Sequence, residues 1–214
     1  TGWVEGEIRM SRRKGRMTRR WSWAALAVQT LAFSTSASAA PALEELAAGV
    51  RIDPTQISVS GISSGGFMAH QFHVAHSEHV MGAGVVAGGP YYCAQGTLIE
   101  ATSKCSQFAV AECTTLGLDR RWCRKTDLAP KTKNEIARAA AASFVEARRQ
   151  EAAGTISKLA NLKNGKIYLF SGTYDALVPQ GVMDTLFRFY ADADKGGVAS
   201  GNLTYNRTFP ARHS

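Results

Sequence analysis

No stretch of this 214-residue chain is apolar for long enough to cross a bilayer as a helix. Its longest sustained apolar run, residues 21–33, is interrupted by Gln29 and Thr30 and falls short of the roughly 20 residues a span needs. Stable membrane insertion is therefore not expected. There is no Cys-x2-Cys pair and no His-Glu-x2-His, which leaves zinc without its usual ligand spacings. No internal repeat occurs, which excludes solenoids. Charged residues are 20% and hydrophobic residues 45% of the chain, so neither a disordered nor a collagen-like polymer fits. A basic excess is present, 25 Lys plus Arg against 17 Asp plus Glu for a net +8. Residues 1–40 account for +5 of it, however, and the rest of the chain for only +3. A near-neutral body removes most of the case for a nucleic-acid partner.

What the first forty residues do contain is an address. Arg12, Arg13, Lys14, Arg16, Arg19 and Arg20 precede the apolar run, and Ser-Thr-Ser-Ala-Ser-Ala-Ala follows it at 34–40. A positive region, a short apolar region and an Ala-x-Ala site describe a secretory signal peptide cleaved after Ala39. Residues 1–9 stand before the first methionine, Met10, and read as upstream sequence. Residues 1–39 are thus expected to be processed and 40–214 to form the domain, exported to the periplasm or beyond. Export suits the cysteines. Cys93, Cys105, Cys113 and Cys123 all follow the signal, and an even number in an exported chain reads as two disulfides with three connectivities open.

Strand and helix patterns alternate along the mature chain. Residues 57–60 alternate apolar and polar, 67–79 have helical spacing, and 81–87 form a short apolar run expected to be a strand buried on both faces. A loop-rich segment, 91–131, carries the cysteines. Residues 133–153 read as a helix, 166–170 as a strand, 180–191 as a helix and 203–209 as a last strand. The alternation implies an α/β fold with a parallel-rich sheet.

Gly61-x-Ser63-x-Gly65 lies between the first strand and the first helix. Such a turn lifts a serine Oγ clear of the sheet, and glycines on either side let strand and helix approach. The helix N-terminus puts the Ser64 N–H where an oxyanion would form. A serine nucleophile needs a base and an orienting acid. Asp175, beyond the strand at 166–170, and His213, beyond the last strand, supply them in the order Ser, Asp, His. His70, His73, His76 and His79 recur every three residues, a step that drifts round a helix and cannot converge on one metal. They read as residues of a surface or partly packed helix. Tyr91, Tyr92 and Trp122 offer aromatic surface near the rim or loop packing, and the basic run from Arg120 to Lys133 reads as a solvated face.

Three separated blocks resemble the exported poly(3-hydroxybutyrate) depolymerases. They are Gln56-Ile-Ser-Val-Ser-Gly-Ile-Ser-Ser-Gly-Gly-Phe-Met-Ala, Gly82-Ala-Gly-Val-Val-Ala-Gly-Gly-Pro-Tyr-Tyr-Cys and Lys166-Ile-Tyr-Leu-Phe-Ser-Gly-Thr-Tyr-Asp-Ala-Leu-Val. The resemblance implies an α/β-hydrolase-like fold, circularly permuted because the nucleophile comes so early in the mature chain. It implies a polyester or oligoester substrate and no cofactor or metal. Ser63 would be nucleophile, Asp175 the orienting acid, His213 the base, and Cys93–Cys105 a disulfide. Family members carry further strands, a second oxyanion donor and polymer-contacting aromatics beyond the point matching Ser214, so the domain is expected to be incomplete at its C-terminal end. Two other readings stand beside this one: a small-ester or feruloyl-type esterase on the same scaffold, and an inactive remnant or binding module.

Overall fold

A computed structural model describes residues 45, 48–51, 53–117, 119, 127–192 and 197–213. The signal segment, Trp122, Cys123 and the basic run 120–125 lie outside the described residues. Within the unit Ala47–Ser214, four strands form one sheet in chain order: β1 (Ser58–Ile62), β2 (Gly82–Val86), β3 (Lys166–Phe170) and β4 (Leu203–Asn206). Every pairing is parallel, so each strand returns to the same end through a crossover. The crossovers are α1 (Ser64–Ala75), then α2 (Leu98–Ser103), α3 (Phe108–Thr115) and α4 (Lys133–Ala152), then α5 (Gln180–Ala191). The α/β expectation holds.

The register explains the core. Val59, Ala83, Ile167 and Leu203 stand abreast, as do Gly61, Val85, Leu169 and Tyr205. These rows face the helices: Ala83, Val85, Ile167 and Leu169 join Ala69, Val74, Phe144, Val182 and Leu186 in one apolar cluster, with Val59, Leu203 and Tyr205 packed against it. The intervening row of Ser60, Gly84, Tyr168 and Thr204 looks the other way. There Tyr168 is 46% and Ile62 50% exposed, so β2 is not flanked equally on both faces among the described residues.

Local signals account for the ends. Helix α4 starts at a capping box: the Thr132 side chain accepts from the Glu135 N–H, while the Glu135 carboxylate accepts from the Thr132 N–H. Two backbone donors are satisfied together. The segment expected to be loop contains α2 and α3. Thr97 caps the first of them by accepting from the Glu100 N–H, and a disulfide joins Cys93 to Cys105 across 12 residues. Cys113 is also disulfide-bonded. The last strand stops at Asn206 rather than 209, because the chain turns there to bond with another loop at the rim.

Candidate active site

All three residues singled out for chemistry sit beyond the C-terminal ends of parallel strands, where α/β sheets place their sites. Ser63 follows β1 and starts α1. Its φ of 57° and ψ of −125° belong to a region few non-glycine residues occupy. The turn is closed by Ser63 N–H donating to the Val86 carbonyl at 3.0 Å and Phe67 N–H to the Ser63 carbonyl at 3.0 Å. Glycine is obligatory beside it, since a Cβ on Gly61 would lie 2.2 Å from the Gly65 carbonyl oxygen. The first glycine of the motif is therefore a packing requirement, whereas a Cβ on Gly65 would meet nothing. With the Ser63 N–H already bonded, the N–H of Ser64 in the first helical turn is a donor without an intrahelical partner.

Asp175 follows β3 with its side chain almost entirely enclosed. Its Oδ1 accepts from the N–H groups of Leu177 at 2.9 Å and Val178 at 2.8 Å. That leaves the carboxylate oriented along one remaining direction, toward His213. The histidine arrives there because two loops are bonded to each other. Thr173 N–H donates to the Phe209 carbonyl and Tyr174 N–H to the Ala211 carbonyl, both at 3.0 Å. A Cβ on Gly172 would meet the Ala211 oxygen at 2.1 Å, so this contact too needs glycine.

His213 Nδ1 lies 3.1 and 2.9 Å from the two Asp175 oxygens, and its Nε2 lies 2.8 Å from Ser63 Oγ. An ionised carboxylate only accepts, so Nδ1 carries the proton and Nε2 presents its lone pair to the serine hydroxyl. A cavity of about 560 Å³ opens over this group. Ser63, Ser64, Phe67, Tyr92, Phe108 and His213 are among the residues lining it.

Beneath the site is an arrangement that periodicity alone does not reveal. His70 and His73 are buried, and both point Nδ1 at the Tyr190 hydroxyl, each at 2.8 Å. The hydroxyl has a single hydrogen, so it can donate to at most one imidazole and at least one of the two donates its Nδ1–H to the hydroxyl oxygen. Neither Nε2 has a partner among the described residues. Burial lowers His73 to about 4; burial, with His73 beside it, lowers His70 well below the usual histidine value. Burial also raises Tyr190 well above the ordinary phenol. His76 and His79 are exposed, so the helix is surface on one side and sealed on the other. Among the described residues no cluster suits a metal ion, and no helix is long and apolar enough to cross a membrane.

No protein-family model matches the chain. Individual proteins do. A poly(3-hydroxybutyrate) depolymerase of Delftia acidovorans is 38% identical over 168 residues, 77% of this chain. A polyhydroxybutyrate depolymerase of Talaromyces funiculosus is 31% identical over 165 residues, 76% of this chain. The chain belongs to the poly(3-hydroxybutyrate) depolymerase family. Solved structures agree with this placement. A PHB depolymerase complexed with an R3HB trimer superposes with a TM-score of 0.53 at 28% identity. The crystal structure of the PHB depolymerase from Penicillium funiculosum superposes with 0.52 at 29% identity. Each solved comparison covers 76% of this depolymerase-family chain and 41% of the other protein. The chain spans 28% and 38% of the lengths of the two curated relatives.

Proposed function

We propose that this chain carries the serine-hydrolase site of an exported depolymerase that hydrolyses ester bonds in poly(3-hydroxybutyrate) or its oligomers. The observation that carries the reading is the continuous line from the Asp175 carboxylate through His213 to Ser63 Oγ, with 2.8 Å at its last step. The names of the relatives supply the substrate class.

The chemistry follows from the protonation states. His213 Nε2 takes the Ser63 hydroxyl proton as Oγ forms a bond to the ester carbonyl carbon. The carbonyl oxygen becomes an oxyanion, and the Ser64 N–H stabilises it at the helix N-terminus. Asp175 holds the imidazole in the required tautomer and stabilises its charged form. The imidazolium then gives its proton to the leaving alkoxide as the C–O bond breaks. Water repeats the sequence on the acyl-serine: His213 takes its proton, and Ser63 leaves with that proton restored. The residues named here complete both halves, so no cofactor enters the scheme. The segment from the first methionine to Ala39, after the upstream residues 1–9, acts as the export signal in this reading.

Ser63→Ala tests it directly. Hydrolysis of p-nitrophenyl butyrate and clearing of a poly(3-hydroxybutyrate) suspension should each fall by at least about 10³-fold. Retained hydrolysis would remove Ser63 from the chemistry. Turnover of the soluble ester without clearing would instead favour a small-ester esterase.

A further inference from the structure

We propose that Tyr92 determines specificity at the Ser63 site: its ring is the wall that limits how much of the ester chain the cavity admits. The proposal rests on the ester-hydrolase reading above and goes beyond it in naming what bounds the substrate. Two cavities of similar size lie on either side of the turn at 90–96. One is the Ser63 cavity, about 560 Å³. The other, about 550 Å³, lies between the turn, residues 127–131 and α4. Pro90, Tyr92, Cys93 and Gln95 line both, which makes the turn a partition. Tyr92 carries the largest side chain of these four.

The backbone of Tyr92 is held where an aromatic residue rarely sits. Its φ is 56°, in the left-handed region that favours glycine or asparagine. Gln95 at φ 47° and Gly96 at φ 74° share the left-handed region in the same segment, but Tyr92 is the one aromatic residue among them. The strained tyrosine is secured from several sides. Its N–H donates to Gln71 Oε1 at 2.7 Å, its carbonyl accepts from the Gln95 N–H at 3.1 Å, and its neighbour Cys93 is bonded to Cys105. Gln71 belongs to α1, the helix that begins at Ser63, so the clamp ties the partition to the nucleophile's own helix. Adjacent Tyr91 is 7% exposed and packs into the core, whereas Tyr92 is 38% exposed. Strain that contributes nothing to core packing is characteristic of a residue placed for a ligand. Removing the ring joins the two cavities and gives a longer acyl or oligoester chain somewhere to run.

The test compares kcat/KM for p-nitrophenyl decanoate and p-nitrophenyl butyrate. Tyr92→Asn keeps a residue that tolerates positive φ and removes the ring. Its decanoate-to-butyrate ratio should rise about tenfold, the scale on which one pocket contact discriminates, with the change falling on KM for the long ester. Tyr92→Phe should keep the parental ratio. Gln71→Leu, which releases the N–H clamp, should move the ratio the same way by a smaller factor. The rate of covalent Ser63 labelling by short and long alkyl fluorophosphonates reads the same selectivity without turnover. An unchanged ratio in Tyr92→Asn, or in Gln71→Leu where the first variant fails to fold, overturns the proposal while Ser63-dependent turnover or labelling persists. Loss of that dependence would instead defeat the hydrolase reading.

Discussion

The two faces of the sheet differ sharply. On one, Val85 and Leu169 are fully buried beneath α1 and α5, in the same cluster as Phe144 of α4. On the other, Ser60, Gly84, Tyr168 and Thr204 share a row, and no described helix covers them. Apolar burial is the main favourable term in folding, so the helix-covered face supplies most of the stability. Ser63, Asp175 and His213 meet at the rim through β1, β3 and β4 ends and their loops, all set by strand register and by the covered side. The buried rows and the candidate site therefore occupy different parts of one sheet.

Asp175→Asn presses hardest on that separation. The amide can still accept from the N–H groups of Leu177 and Val178, but its NH₂ would donate to His213 Nδ1 and drive the proton to Nε2. Ester hydrolysis should fall by about 10⁴-fold, while the thermal midpoint stays nearly constant. A large loss of stability would tie the rim to the core and break the contrast.

Next in size is a matched pair on β3. Leu169→Ala on the covered face should cost about 2–5 kcal/mol of unfolding free energy. Tyr168→Thr on the open face, one residue away, should stay within about 0.5 kcal/mol. Urea denaturation measures both, and equal losses would mean that the second face is buried in solution.

The acid response sharpens the contrast within the covered side itself. His70 and His73 bind protons less readily when folded than the ordinary value of 6.5. As pH falls below that value the unfolded chain takes up protons that the fold refuses, so the stabilising difference is present above pH 6.5 and is lost on acidification. Between pH 6.5 and about 4, the interval over which burial displaces His73, the loss should be about 3 kcal/mol from this residue alone. His73→Phe should flatten the profile in urea titrations at stepped pH. A profile as steep as the parent's would place the titration elsewhere.

Much of the site was legible in the residues because its motif encodes steric needs. Gly61, two residues before Ser63, is required because a Cβ there would strike the Gly65 carbonyl, and such needs leave a fixed spacing in any chain. Asp175 could be placed from a strand followed by a short polar loop, and His213 from its order after the last strand. The pairing of His70 and His73 with Tyr190 left no such trace, because the partners are 120 and 117 residues apart. Their three-residue step is equally compatible with exposure, as His76 and His79 show. Helices α2 and α3 were hidden for another reason. They are short and lack amphipathic periodicity, so capping at Thr97 and the disulfide anchor what the pattern does not announce.

Determined by the sequence alone were the α/β alternation, the elbow at Ser63 and the order of the three candidate site residues. Each depends on neighbours along the chain, on side-chain period or on glycine's missing Cβ. Tertiary structure alone decided that the described helices gather on one face, that Tyr92 stands strained between two cavities, and that Phe209 and Ala211 accept bonds from the loop before Asp175. Those outcomes arise from contacts between residues distant in sequence, whose energies exist only once the chain has closed on itself.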